Sequence, residues 1–582
     1  MRPIQILAFV FLCAALALGQ TNKGGINGTV MDPNGAAVPG ATVTITNLGT
    51  NQSQTVTTTD SGAFSVASLD PVTYSVTVEA QGFKKAIVQS VKVDTSSIAA
   101  VNVTLEAGQI SEAVSVVSET SLLNTETGTT TTTVTARQIQ DTPLVNRSVL
   151  DLAMTAPNVT GDAGSEDVDV AAGGTQPVPG FNINVNGGRS GSTAILADGV
   201  NNTGVGIART VVSFTPETVQ EFTVQTSAYS AEFGNTGGGV INATTKSGTN
   251  QFNGEALWYT RNPKFNALPY TIGTAPRPAV NLRYNQFSFT VGGPVFLPKF
   301  GEGNKPFYNG KNKTFFFFAL EPRREQNFLT SSALLPDATQ LSGNFNGLVR
   351  TTSGIVPAAI ATQFGLSSLG ATAATIYQQF VLVNGNLVPI QLASGNQYCQ
   401  FNDPRRVLVP QTFQGTQILT PQCTSAINAN PNPSLNIIPP EFIDPIAQKI
   451  LQNMPAAGSY FLDAGNIRNT ILTRFVKQDE TRYTLRLDHS ITNNAKVNFR
   501  YTVTPSIGIR GTGNDINGNT GVYENARQFL LAFNNILSPT LVNDLRLNYT
   551  RGNFSEDYSP EFAIKTGRSY AGELGLPHLV NG

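Results

Sequence analysis

Histidine is almost missing from this chain: 582 residues hold two, His489 and His578. Neither has a second histidine or a cysteine at metal-ligand spacing, and no nucleophile-elbow context surrounds either of them. Cysteine is nearly as scarce, at three. Cys13 lies in the first apolar run, which leaves Cys399 and Cys423 in one polar, proline-rich region. That pair is read as a disulfide of an oxidising compartment or as two free thiols. Charged residues make up 13%, about half the share of an ordinary soluble domain. The 37 basic and 38 acidic residues balance to a net charge of -1, so no basic excess points to nucleic acid. After residue 18 no apolar run reaches the ~20 residues of a helical membrane span. These shortages exclude a histidine-based hydrolase, a zinc centre, a nucleic-acid binder and a helical membrane protein. No catalytic, cofactor or metal residues are assigned, and the chain is not read as an enzyme.

What is present is glycine, 54 residues of it, with abundant threonine and asparagine and many short alternating segments. Residues 1–19 have the pattern of a signal peptide: Arg2, an apolar core over 4–18, and small residues ahead of Gln20. In residues 20–106, Ala41, Val43 and Ile45 alternate with threonines. Tyr74, Val76 and Val78 repeat the pattern, as do Val101, Val103 and Leu105, and Asp-Pro-Asn-Gly and Asp-Ser-Gly turns lie between such runs. Period-2 alternation with regular turns predicts a small β-sandwich. The strings GTVMDPNGAAVPGATVTI and TTDSGAFSVASLDPVTYSVTVEAQGF resemble the carboxypeptidase-regulatory-like domain. The resemblance implies a seven-stranded sandwich without catalysis of its own.

Residues 107–135 are a threonine-rich, low-complexity linker. Residues 136–250 open with a helical zone whose apolar positions, Ile139 to Met154, predict two short helices broken near Pro143. A glycine-rich stretch follows, carrying Gly187-Gly188-Arg189 and LADGV with Asp198 and Gly199. PETVQEF then contributes Glu221, and AEFGNTGGGVINATTKSGTN contributes Glu232, Gly234, Gly237, Gly238, Gly239 and Lys246. GGRSGS does not read as a nucleotide loop, because no strand–turn–helix unit with the G-x-G-x-x-G order surrounds it. These strings resemble the plug of TonB-dependent outer-membrane receptors. The resemblance implies a plug that closes at Tyr229–Gly234, glycines 237–239 that press against a barrel wall, and a turn at Lys246–Asn250 into the first barrel strand. It also implies a TonB box in ISEAVSVVSE, at Glu112, Ala113, Val114, Ser115, Val116 and Val117. An exposed β-prone stretch beside a linker can add to a partner's sheet edge; ordinary linker and a last sandwich strand are the alternatives.

Residues 251–582 carry the alternation of a transmembrane barrel. Tyr483, Leu485 and Leu487 alternate with Arg482, Thr484, Arg486 and Asp488. Across a tight turn, Val497, Phe499, Tyr501 and Val503 alternate with Lys496, Asn498, Arg500 and Thr502; Leu545, Leu547 and Tyr549 repeat the pattern. Aromatics on one face and charge on the other suit lipid outside and a watery lumen inside. Strands are expected at 253–262, 285–295, 314–325, 481–489, 495–505, 526–537 and 540–552. That order places short turns at the plug-entry end and long connections at the other, with 296–313 as the exception. VGGPV and NGKNKTFFFFALEPRRE are similar to the Oar-like subgroup of these receptors. The whole is read as mainly β: an N-terminal β-sandwich, an α+β plug and an incomplete antiparallel barrel, seven strands where plugged transporters close with about 22. A longer receptor is therefore expected.

The resemblance implies energised uptake of a large or scarce solute, of siderophore, oligosaccharide or peptide class, across the outer membrane of a Gram-negative-type bacterium. The sandwich would lie in the periplasm. The implied partners are TonB, outer-membrane lipid and an extracellular ligand, with no nucleic acid. The other reading of the same composition is a secreted surface adhesin or carbohydrate-binding protein.

Overall fold

The computed structural model describes residues 23–108, 113–116, 129–144, 147–161, 183–189, 191–204, 210–229, 233–234, 236–265, 267, 282–298, 307–345, 348–351, 354–365, 372–373, 380–383, 386–389, 406–413, 416–423, 456–463, 466–511, 519–538 and 541–557. The expected leader and Cys399 lie outside these residues, as do Glu112, Val117 and Glu232.

The N-terminal unit is a sandwich of two sheets. One sheet orders Ala63–Leu69, Gly24–Met31 and Ile98–Ala100, with Val103–Thr104 also on Gly24–Met31. The other orders Ser53–Thr57, Thr42–Asn47, Thr73–Glu79, Lys85–Lys92 and Ala113–Val116. Alternation supplies the core: Val43, Ile45, Tyr74, Val76, Val78, Val101, Val103 and Leu105 are all buried, while the threonines between them stay partly wet. Ile98–Ala100 and Val103–Thr104 are two halves of one edge, both parallel to Gly24–Met31. Counting them together leaves the seven strands implied by the resemblance, and Ala113–Val116 joins from the linker as one more. It runs parallel to Lys85–Lys92, with Lys85 opposite Ala113 and Val88 opposite Val116.

The next unit holds a five-stranded sheet in the order Thr130–Thr135, Val219–Ser227, Val240–Thr245, Ala194–Ala197, Val200–Asn201. Two short helical turns pack on it, as expected. Ala136–Asp141 is an α-helix started by a capping box between Thr135 and Gln138. Val149–Thr155 is a 3-10 helix that buries Val149, Leu150, Leu152 and Ala153. Ile139, Phe214, Phe222, Val224 and Ile241 fill the core beneath them.

Seven strands then form one antiparallel sheet in which every strand pairs with the next in sequence: Asn253–Arg261, Arg283–Pro294, Thr314–Ala333, Thr470–Ser490, Ala495–Gly511, Asn519–Ser538 and Leu541–Asp557. The sheet is open, with the first and last strands as its edges. All seven expected strands are present, and several run further than expected at the end away from the plug entry. The third and fourth reach 20 and 21 residues, about twice the 9–11 a bilayer needs. Twenty register pairs join them, so the hairpin stands well clear of the membrane. The connection expected over 506–525 shrinks accordingly to 512–518. The long turn at 296–313 carries a small hairpin of its own, Phe296–Pro298 with Phe307–Asn309.

The two faces of the sheet divide as the alternation requires. Trp258, Phe287, Phe289, Leu545, Leu547 and Tyr549 are exposed. Trp258 stacks on Phe287 at 6.0 Å, and Phe499 meets Phe529 edge-on at 5.4 Å. The opposite face, with Arg482, Thr484, Arg486, Arg500, Thr502 and Gln528, is buried. The sheet's inner face was expected to meet water. Over this stretch it meets the five-stranded unit instead, and Arg482, Arg486, Arg500 and Gln528 all have partners in that unit.

Candidate functional site: the interface between plug and barrel wall

The site is built around a two-residue turn. Ala194–Ala197 and Val200–Asn201 pair with Leu196 opposite Asn201 and Ala197 opposite Val200. Only Asp198 and Gly199 connect them, with φ of 49° and 75°. Two positive φ angles in a two-residue hairpin define a type I′ turn, which Asp-Gly fits best. The turn lifts the Asp198 carboxylate out of the sheet's end. One oxygen accepts from the Thr245 amide at 2.9 Å and the other from the Thr245 hydroxyl at 2.8 Å.

Barrel arginines converge on that turn from three strands. Arg500 Nε lies 2.6 Å from Asp198 Oδ2, and Arg486 Nη1 lies 3.7 Å from Oδ1. Arg546 Nη1 donates to the Asp198 carbonyl at 3.1 Å, and Arg486 Nη1 donates to the Thr245 carbonyl at 2.7 Å. Arg500 Nη2 donates to Gln528 at 2.7 Å, and Gln528 in turn donates to the Asn201 carbonyl at 3.1 Å. Asp198 and Arg500 are almost completely buried. Burial alone would raise the Asp198 carboxyl, but Arg500 and Arg486 outweigh it and the group is held below the usual range. The carboxylate is therefore charged and clamped.

Two of the three clamping strands also carry their own acids on the same face. Arg486 pairs with Asp488 at 3.0 Å, Arg482 with Glu480 at 2.8 Å and Arg546 with Asp544 at 2.8 Å. Residues two apart in a strand share a face, so these pairs lie along the wall itself. A second contact zone surrounds Glu321 of the third strand, which accepts from Thr215 of the plug and from Ser288. Arg482 donates from the wall to Ser213 of the plug. Arg147 of the plug, paired with Glu217, places its guanidinium 3.8 Å over the Tyr259 ring of the first strand.

The remaining residues singled out in the sequence fall elsewhere. Gly187, Gly188 and Arg189 form a turn whose Arg189 carbonyl accepts from the Ser192 amide at 3.1 Å; Arg189 is exposed and outside the clamp. Gly237, Gly238 and Gly239 do not press on the barrel wall. They pass under the turn at 187–192, and the amides of Gly237 and Gly238 both donate to Ser192 O. A Cβ on Gly239 would come within 2.7 Å of Gln225 O. The glycine that does meet the wall is Gly248, where a Cβ would stand 2.3 Å from Phe316 O and 2.8 Å from Gly293 O. Gly234 has open space around it. Lys246 donates its amide to Thr218 O at 2.9 Å, and burial lowers its ammonium pKa. Glu221 is buried and faces the sandwich: its Oε1 accepts from the Thr95 amide at 2.6 Å. Of the expected TonB box, Ala113–Val116 is the strand on the sandwich edge described above. Cys423 ends the strand Thr416–Cys423, and the expected disulfide with Cys399 lies outside the described residues.

Sequence reasoning did not find the arginine partners of Asp198. Their signal was present: arginines recur on the inward face of successive strands, where each needs a buried counter-charge or water.

The comparisons agree with this architecture. The carboxypeptidase regulatory-like domain family matches residues 25–106, and the outer membrane beta barrel domain family matches residues 244–581, more than half of the chain. The TonB-dependent transporter Oar of Myxococcus xanthus is 28% identical over 346 residues, which cover 57% of this chain and 30% of that protein. The chain thus spans under a third of the curated relative it matches. Among solved structures, the outer membrane transporter YddB of Escherichia coli aligns at 10% identity and a TM-score of 0.37, over 73% of this chain and 40% of that one. A mutant ferric enterobactin receptor PfeA of Pseudomonas aeruginosa aligns at 12% identity and 0.34, over 73% and 40%. Likenesses that distant carry no weight for function. The match over the seven-stranded sheet does: the chain belongs to the outer membrane beta barrel domain family, with a carboxypeptidase regulatory-like domain ahead of it, and is a protein of the bacterial outer membrane.

Proposed function

We propose that the protein is a gated outer-membrane transporter whose plug is moved by TonB. The observation that carries this reading is the clamp at Asp198. A separate folded unit sits against the inner face of a barrel sheet and is held there by polar and charged contacts that can break and reform in water. An apolar interface of the same extent would be obligate; a polar one suits a part that leaves and returns. The similarity to a TonB-dependent transporter supports the energy source. Residues 112–117 are the proposed TonB box, with the sandwich and linker in the periplasm. The solute is of siderophore, oligosaccharide or peptide class, and transport makes or breaks no bond in it.

Deletion of residues 112–117 from the full-length protein tests the docking site. Growth and uptake in a strain dependent on the receptor are expected to fall to the level of the receptor-free strain. Unchanged uptake would remove that segment from the mechanism.

A further inference from the structure

One end of the sandwich is not free. Three of its loops, at 47–52, 68–70 and 92–97, reach the plug and the rim of the barrel sheet together. In the first, the Gly49 carbonyl accepts from the Asn250 amide at 2.9 Å, and Gln52 donates to the Asn312 carbonyl at 3.4 Å. In the second, Ser68 meets the Asn534 side chain at 3.5 Å, and Asp70 meets Lys496 at 3.8 Å. In the third, the Thr95 amide donates to Glu221 at 2.6 Å, its hydroxyl lies 3.0 Å from that of Thr244, and Lys92 comes within 4.0 Å of Glu221. Glu221 and Thr244 lie on adjoining strands of the plug sheet, whereas Asn312, Lys496 and Asn534 belong to the barrel side and Asn250 to the turn that joins the two.

Two further observations mark this end as built for contact. Each loop holds a non-glycine residue in the left-handed region: Asn51 at φ 57°, Ser68 at 61° and Ser96 at 54°. Backbone of that kind persists where surroundings over-determine it and clusters at functional sites. The buried charges follow the same geography. Asp70 is half-buried between Lys23 and Lys496, which outweigh the effect of burial and hold its carboxyl well below the usual range. Lys23 belongs to the sandwich and Lys496 to the barrel, so Asp70 holds both cations only while the two units stay together.

We infer that the sandwich is a lock on the plug: seated at once on the plug strands through Thr95 and on the barrel rim through the 47–52 and 68–70 loops, it must come off before the plug sheet can be remodelled at that end. A rigid body bridging two parts resists their relative motion until one of its two interfaces breaks. The inference rests on reading residues 136–250 as a plug and is independent of TonB and of any solute.

A disulfide staple tests it. A Cβ on Gly49 would lie 3.8 Å from the Thr249 Cβ, the mean spacing of a relaxed disulfide, about 3.8 Å. Gly49→Cys with Thr249→Cys is made in the full-length receptor in lipid nanodiscs, with Cys399→Ser and Cys423→Ser to remove competing thiols. Mild oxidation is expected to consume both new thiols. Amide exchange in Val219–Ser227 and Val240–Thr245 should then slow at least tenfold, returning to the unstapled rate on reduction. The reduced form of the same variant is its own folding control, and Ser68→Cys with Asn534→Cys repeats the test at the other loop. Thiols that stay free in the folded receptor at both pairs would show that the sandwich is not seated there. A staple that forms while exchange in those strands stays unchanged would show that the seat locks nothing. Uptake is not measured in either arm, so a failed lock is distinguishable from a failed transport reading.

Discussion

At the residue scale, two plug carboxylates behave oppositely because their neighbours differ. Asp198 sits among guanidinium groups and stays charged. Asp198→Asn keeps its shape and leaves Arg500 buried beside a neutral amide, so the seating of the plug should weaken by roughly 3–5 kcal/mol, the usual cost of orphaning one partner of a buried pair. Denaturant-dependent proteolysis of the plug in an otherwise intact receptor measures this, and release at the wild-type midpoint would refute the clamp. Glu221 is pushed up to about 7, chiefly by burial and then by Asp94, against the pull of its Thr95 hydrogen bonds and Lys92. Its ordinary value is 4.5, so the folded protein holds a proton that the unfolded chain has lost. The resulting stabilisation is complete below about pH 4.5 and disappears as pH rises through about 7, at most roughly 3 kcal/mol. Glu221→Gln should flatten that part of the thermal-stability profile between about pH 4.5 and pH 7, and an unaltered slope would assign it to another group. Both carboxylates could be picked from the sequence as plug residues. What each of them meets in the other units could not, because those partners lie 126 to 348 positions away.

At the scale of the element, alternation was the reliable signal. Val43, Ile45, Val76 and Val78 were placed on the inner face of the sandwich by period alone, and Leu545, Leu547 and Tyr549 on the outer face of the barrel, because a strand's faces are fixed by parity. Strand ends were less legible. Above the membrane no buried face imposes a pattern, so segments such as Thr470–Ser490 continue without an apolar mark. Glycine runs were legible as close approaches but not as to what approaches them. Gly248, rather than Gly237 to Gly239, is the residue against the wall. Gly248→Ala should displace the second and third barrel strands at Gly293 and Phe316 and cost roughly 1–3 kcal/mol, typical of overpacking. Gly237→Ala, whose Cβ would meet only Ser192 Cβ at 4.0 Å, should fold like the parent. Heat-modifiable mobility on gels compares them, and equal behaviour of the two would refute the assignment.

At the scale of the molecule, the order of units could be read directly, since composition changes where one unit hands over to the next. How the units meet could not. Nothing in the string YSVTVEAQGF, or in the loop that follows Lys92, announces that the far end of the sandwich rests on Glu221. The wall against which the plug sits carries one more consequence. Arg482, Arg486 and Arg546 each keep a carboxylate on their own strand. Emptied of its plug, that surface would be close to self-neutral and would need little rearrangement to stand in water. Among the described residues, the carboxylate that meets Arg500 is Asp198 of the plug. A wall of this kind can be vacated repeatedly without binding its occupant too tightly to let it go, and a single guanidinium registers whether the seat is filled.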